Sequence, residues 1–351
     1  MYSLRTFLKT HERGISVAAL ILGFIVDNFT LRRADLFLEN LALLLYLSLV
    51  AICIIVLNFH GEVREGTARA SLNRLLFFAM QFAVGGLMSA FLIFYSRSAS
   101  IIASWPFLLV ILLQFVGSEL FKRQYTRLTL QVSVFFFALL SYTILAVPTV
   151  LGKIGADVFI VSGIVSLITV KLFLMVLRRT ARERYAANRQ GILVSIAGIV
   201  SVVTFFYFSN LIPPIPLALK EIGVYKSVIR LQSGEYLRAG GERRILGFTV
   251  PGQIVRIAPG EPLYAWSAIF APTRFSEQIV HRWEYYDETR GAWETRSRIP
   301  LAIVGGRDGG YRTYSFKRDF SSGRWRVGVE TTSGQIIGRI VFSIEYSSPL
   351  P

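Results

Sequence analysis

A chain of 351 residues that is 53% hydrophobic, with a mean hydropathy of +0.51, is too apolar for an ordinary water-soluble protein. Its formal charge of +16 divides into 19 basic against 9 acidic residues before Pro213 and 19 against 13 from there on. The first share flanks apolar segments, where positive charge sets topology and not nucleic-acid binding. A single cysteine, Cys53, excludes an intramolecular disulfide, and three histidines in three separate segments (His11, His60 and His281) argue against a zinc site.

The chain opens on Arg5, Lys9 and Arg13 ahead of an apolar run with no small-residue cleavage site, which reads as an uncleaved signal-anchor. Candidate spans are Gly14–Leu31, Leu41–Phe59, Leu75–Tyr95, Ile101–Gly117, Leu128–Val147, Gly155–Leu177 and Gly191–Ile212. About 20 apolar residues cross a bilayer as a helix. Most of the seven meet that length. Asp27 and Asn28 interrupt the first, and Pro106 sits near the start of the short fourth.

Loop charge orients the spans. With the N-terminus inside, fourteen basic residues fall on the inner side: Arg5, Lys9, Arg13, Arg64, Arg69, Arg74, Lys122, Arg123, Arg127, Arg178, Arg179, Arg182, Arg184 and Arg189. Four fall outside: Arg32, Arg33, Arg97 and Lys153. Seven spans then place everything after Ile212 outside the cytoplasm. Among polar residues at membrane depth, Gln81, Gln114 and Gln131 are candidates for hydrogen bonds between helices, Gly85-Gly86 and Gly163 for close helix approach, and Asp27 for pairing with Arg32 or Arg33. The spans contain no carboxylate pair and no His–Glu relay of the kind a transporter uses.

Pro213–Pro216 ends the last helix. Leu217–Tyr225 is expected to form a short interfacial helix, and Ser227–Leu231, Glu235–Arg238 and Ile245–Ile257 loosely patterned strands. A well-patterned all-β unit begins at Leu263, with Tyr264, Trp266 and Phe270 on one face. From His281 to Tyr346 the alternation is regular. Trp325, Val327 and Val329 share one face, with Arg324, Arg326 and Glu330 opposite. Ile336, Ile340, Phe342, Ile344 and Tyr346 share a face, opposite Arg339, Ser343 and Glu345. A period of two with one polar face marks half-buried antiparallel strands, and turns every 8–12 residues or so mark a sandwich or barrel.

The motifs His281-Arg282-Trp283, Tyr311-Arg312-Thr313-Tyr314-Ser315 and Gly323-Arg324-Trp325-Arg326-Val327 resemble the core of a bacterial family, domain of unknown function 2914. The resemblance covers roughly Glu261 to Tyr346, and Ile212–Leu217 resembles the connector of its multi-pass members. It implies a membrane protein with an immunoglobulin-like C-terminal domain and no established activity. The expected architecture is an α-helical transmembrane bundle of about seven helices over residues 1–212. A connector with accessory strands follows over 213–262, then an extracytoplasmic immunoglobulin-like β-sandwich over 263–351.

Chemistry-bearing constellations are sparse. His281 alternates onto the same face as Trp283 and Tyr285, so a packed or hydrogen-bonded structural role is expected. Gly305–Gly310 lies between strands and not ahead of a helix, so it reads as a turn, not a phosphate cradle. Glu284, Asp287, Glu288 and Glu294 cluster around one hairpin without the spacing of a calcium loop. No catalytic, cofactor or metal residues are assigned, and no enzyme activity is expected.

The aromatic set Tyr264, Trp266, Trp283, Tyr285, Tyr286, Trp293, Tyr311, Tyr314 and Trp325 is too large to be all core. Tyr286 opposes Tyr285 on its strand, so one of the two lies outside. Tyr286, Arg282, Trp293 and Arg312 are therefore the candidate binding residues. The expected function is non-catalytic binding of a cell-envelope glycan or a membrane or periplasmic protein, with the lipid bilayer as host and no nucleic-acid partner. The expected location is the bacterial plasma (inner) membrane, N-terminus cytoplasmic. The alternative is a transporter or signal-transducing protein whose helical bundle carries the function.

Overall fold

The computed structural model describes residues 24–31, 35–60, 67–98, 101–120, 127–232, 235–240, 244–245, 248–249, 253–272, 275–306 and 309–347. A helical segment at 24–30 precedes six helices: α1 (Phe37–His60), α2 (Ala68–Ser98), α3 (Ile101–Leu120), α4 (Leu128–Leu151), α5 (Ala156–Thr180) and α6 (Arg182–Phe208). All except α3 are long and apolar enough to cross a membrane; α3 carries a shorter apolar stretch, Ser104–Val116. Of the first sequence span, the part before residue 24 lies outside the described residues.

The helices bury one side against each other and leave large apolar side chains on the other. Met80, Ala83, Val84, Leu87 and Phe91 of α2 are buried, while Leu75, Phe78 and Phe82 of the same helix are exposed. A contiguous apolar exterior of this kind is unfavourable in water and suits hydrocarbon. Polar side chains tie the helices together. Asn58 donates to Gln131 Oε1 at 2.8 Å, Tyr95 to the Ser141 carbonyl at 2.9 Å, and Ser133 meets Ser195 at 2.9 Å. Asp27 accepts from the Ser89 hydroxyl at 2.6 Å; its expected partners Arg32 and Arg33 lie outside the described residues. Close helix approach occurs at Gly86, where an added Cβ would sit 2.9 Å from the Tyr46 ring, whereas Gly85 and Gly163 face open space.

From Asn210 the chain forms a second compact unit. Its strands are β1 (Ala218–Tyr225), β2 (Ser227–Arg230), β3 (Tyr236–Ala239), β4 (Arg244–Ile245), β5 (Phe248–Thr249), β6 (Gln253–Ile257), β7 (Leu263–Phe270), β8 (Ser276–Asp287), β9 (Ala292–Val304), β10 (Tyr311–Lys317), β11 (Gly323–Thr331) and β12 (Ile336–Tyr346). A three-stranded sheet runs β1-β7-β10 and a five-stranded sheet β6-β12-β11-β8-β9; β2-β3 and β4-β5 are separate hairpins. All pairings in the two larger sheets are antiparallel except β6 on β12.

The expected interfacial helix at Leu217–Tyr225 is instead strand β1, paired with β7 from Ala218↔Phe270 to Tyr225↔Tyr264. The local sequence Ala-Leu-Lys-Glu-Ile favours a helix, but pairing with a neighbouring strand overrides so short a preference. A register shift between Leu219 and Glu221 brings Ile222 and Val224 to the core side. The larger sheets therefore draw β1 and β6 from the stretch before Leu263.

The two sheets face each other across a core with two clusters. One joins Val224, Leu263 and Ala265 of the smaller sheet to Trp283, Trp325, Val327, Ile340, Phe342 and Ile344 of the larger. The other gathers Leu217 and Ile269 with Ile279, Ile303, Val329 and Ile337. The alternation read for β11 holds throughout. In β12 it holds from Ile340 on, but Ile337 is buried where Ile336 was expected, and Tyr346 is exposed. A register shift between Val329 and Glu330 inserts an extra residue and flips the face on either side of it.

One polar tie crosses the core. His281 of β8 is fully buried, with Nε2 at 2.8 Å from Ser267 Oγ of β7 and Nδ1 at 2.9 Å from Ser315 Oγ of β10. Trp283 Nε1–H donates to the same Ser315 hydroxyl at 3.1 Å. Both ring nitrogens are thus satisfied without a charge, and burial pushes the imidazole down to about 4.

Candidate functional site

Outward-facing residues of the five-stranded sheet form cross-strand rows, because strand pairing places every second side chain side by side. At the turn end, Trp293 of β9 pairs with Tyr286 of β8, their rings 5.1 Å apart and nearly edge to face. The Arg324 guanidinium of β11 lies 4.6 Å from the Tyr286 ring and 5.8 Å from Trp293. The Arg326 guanidinium lies 4.4 Å from Trp293. Cations stack here on aromatic faces, an arrangement stabilised by the ring quadrupole.

The next rows are ionic. Glu284 of β8 faces Arg326 of β11 and makes a two-pronged ion pair with it, one prong at 2.9 Å. Arg282 faces Gly328, and that glycine opens a slot over which the Glu330 carboxylate lies; an added Cβ would come within 3.1 Å of Glu330 Oε1. Arg282 Nη2 approaches the same oxygen at 2.6 Å, off hydrogen-bond alignment, and its Nε is 3.5 Å from Glu284. Glu284 and Glu330 are buried beneath these side chains. Burial pushes the Glu330 carboxyl up, while Arg282 and Arg339 draw it back. Burial likewise lowers the Arg339 guanidinium, and Arg326 adds to that. Two carboxylates thus sit among Arg282, Arg326, Arg339 and Arg298, leaving the face with a positive surplus.

A bulge between Trp283 and Glu284 shifts β9, so Trp293 and Thr295 face out before it and Arg298 after it. Two of the acidic hairpin residues, Asp287 and Glu294, are already occupied. Asp287 accepts from the Thr289 hydroxyl and from the Thr289 and Arg290 N–H groups, and those bonds, the Thr289 hydroxyl first, hold its carboxyl below the usual range. Glu294 pairs with Arg290 at 2.6 Å and Arg296 at 3.1 Å.

Three of the four residues singled out from sequence share this face. Tyr286 and Trp293 touch, and Arg282 lies one row beyond Glu284. Arg312 does not join them: it is exposed on β10, opposite Ala268 of β7, on the outer side of the other sheet. There Trp266 is covered by Tyr236 at 4.7 Å and by the Arg238 guanidinium at 4.9 Å, both from the β2–β3 hairpin. Sequence reasoning missed Arg324, Arg326, Glu330 and Arg339 as parts of the site. Their signal was present, since all four alternate onto the polar side of their strands, but only the β8–β11 and β11–β12 registers show which side chains they meet. Arg307 and Asp308 of the glycine turn between β9 and β10 lie outside the described residues. The Ser267–His281–Ser315 chain has the bonding of a proton relay, yet all three side chains are buried between the sheets.

Residues 276–344, from the start of β8 into β12, match a family described as a protein of unknown function, DUF2914. This segment is a DUF2914 domain. The DUF2914 match thus includes the aromatic and arginine rows of β8, β9 and β11 and omits β1, β6 and β7. No curated protein matches the chain significantly. Among solved structures, a β-glucosidase from Listeria innocua in complex with gluconolactone is similar over 39% of this chain, at 12% identity and a TM-score of 0.21. The matched part spans 18% of that enzyme's own length. An alkylpurine DNA glycosylase from Pseudomonas fluorescens is similar over 90% of this chain and 99% of its own, at 11% identity and the same score.

Proposed function

We propose that this is an integral protein of the bacterial plasma membrane whose DUF2914 unit is an extracytoplasmic, immunoglobulin-like sandwich. The sandwich binds a cell-envelope ligand or protein partner without catalysis. The observation that supports the binding face is the stack of Arg324 and Arg326 on the half-exposed Tyr286 and Trp293. Aromatic rings beside arginines are the usual composition of recognition surfaces, and the surplus of guanidinium groups favours an anionic occupant such as an acidic glycan. The membrane placement rests on the five long apolar helices with exposed Phe and Leu side chains.

The binding reading is tested on the full-length protein with acidic envelope glycans as the probe. Tyr286→Ala should weaken capture by about tenfold or more while changing the unit's stability by no more than about 1 kcal/mol. Unchanged capture by both Tyr286→Ala and Trp293→Ala would remove this face from the function.

Orientation is tested separately. The fourteen-to-four basic bias predicts cytoplasmic signals from reporters fused after Gly61, Tyr125 and Asn188, and an external signal after Pro351. A cytoplasmic signal at Pro351 would place the sandwich on the wrong side for an envelope ligand.

A further inference from the structure

Opposite the arginine rows, the outer side of the three-stranded sheet has a different chemistry. The β2–β3 hairpin lies across it. One hairpin face is fastened down: Tyr236 packs on Trp266 at 4.7 Å and Tyr314 at 6.2 Å, and Arg238 lies over Tyr225 and Trp266 while pairing with Glu221. The other face is aliphatic and open. Register pairs Ile229 with Leu237, and these side chains are 56% and 55% exposed. Leu231, next along, is also exposed, as is Phe316 on neighbouring β10, beside the Tyr264 ring. Polar alternatives would be expected at such positions on a hairpin facing only water.

Exposed cations lie on the same outer side of this sheet. Lys220 of β1 rests over Phe270 and Arg312 of β10 is exposed opposite Ala268, while Arg230 of the hairpin is exposed on the strand face it shares with Tyr236 and rests against that ring. A surface that carries both exposed aliphatic side chains and exposed basic residues suits a lipid interface, with apolar groups entering the acyl boundary and cations meeting anionic headgroups. The chain itself supplies the proximity, since fewer than twenty residues separate Phe208, the end of α6, from Ser227.

We infer that the β2–β3 hairpin is a membrane-docking element: Ile229, Leu231 and Leu237 enter an anionic bilayer surface, with Arg230, Lys220 and Arg312 on its headgroups. This rests on the membrane placement proposed above and adds a second, interfacial attachment to it. The unit would then turn its three-stranded sheet to the lipid and its arginine–aromatic rows away from it.

The test uses the full-length protein in nanodiscs of phosphatidylglycerol and phosphatidylethanolamine. On a Cys53→Ala background, nitroxide labels are placed singly at Ile229→Cys, Leu237→Cys, Thr295→Cys on the opposite face, and Ile168→Cys on the exposed side of α5. Collision with oxygen is compared with collision with a water-soluble nickel chelate. The expected result is an oxygen-favoured ratio at 229 and 237, intermediate between lipid-embedded 168 and water-exposed 295. A water-like ratio at 229 and 237 with a lipid-like ratio at 168 overturns the docking inference and leaves the membrane placement standing. A water-like ratio at 168 overturns both. Exclusion of both reagents at 229 and 237 would mean a protein covers the hairpin and also overturns the inference.

Discussion

Trp325→Ala should destabilise the C-terminal unit by about 3–5 kcal/mol, the usual cost of truncating a large aromatic in a packed core. Trp325 is only 2% exposed. Its ring meets Phe320 at 5.0 Å and Tyr285 at 5.3 Å, and its indole N–H donates to the Ser321 carbonyl at 2.8 Å. Alanine leaves a cavity between β11 and the opposing sheet and strands that carbonyl without its donor. Domains of this size are stable by about 5–15 kcal/mol, so the loss is a large share of the total. Hydrogen exchange of the β8 and β11 amides in the full-length protein reads the effect as a fall in opening free energy. Unchanged protection would mean that the two sheets do not rely on this ring.

The second large effect is acid sensitivity. The folded unit holds His281 neutral, with its pKa lowered from 6.5 to about 4, chiefly by burial. Between those values the unfolded chain binds a proton that the folded chain refuses. The stability associated with the neutral ring is therefore fully present above about pH 6.5 and is lost as pH falls through 4. The loss is about 3 kcal/mol, since each pKa unit is worth 1.36 kcal/mol. Opening free energies measured from pH 7 to pH 4 should show this slope. His281→Asn should be less stable at pH 7, because the bonds to Ser267 and Ser315 are weakened, but should lose most of the slope. A slope unchanged by the substitution would assign the acid sensitivity to the carboxylates instead.

Much of this architecture is visible in the residues. The apolar runs locate the helices because hydrocarbon tolerates few charges, and the β11 alternation locates Trp325, Val327 and Val329 because one face of a sheet must be dry. What escapes a linear reading is whatever depends on a distant strand. Leu217–Tyr225 has helical residues and becomes a strand because β7 offers a row of unpaired groups. Ile336 yields its place to Ile337 because β12 carries one extra residue opposite the Val329–Glu330 step of β11. The candidate site divides in the same way. Alternation puts Tyr285 and Tyr286 on opposite faces, so that one of the two lies outside, and the β8–β9 pairing then sets Trp293 beside Tyr286. Arg312 has the same composition around it and sits on the other sheet, since alternation reports which side of a strand a residue takes and not which sheet the strand joins.

The pairing of β1 with β7 bears on whether this unit is ever released from the apolar helices that precede it. A protease that frees an external domain usually cuts an exposed linker. Here the sheet begins at Ala218, ten residues after the Phe208 end of α6, and residues 212–217 are buried. Cleavage farther along would leave β1 behind with the helices and open one edge of the three-stranded sheet. On the proposed membrane placement, the unit works as a fixed fitting of its bilayer and not as a shed, diffusing factor, and the proposed ligand must come within reach of the membrane.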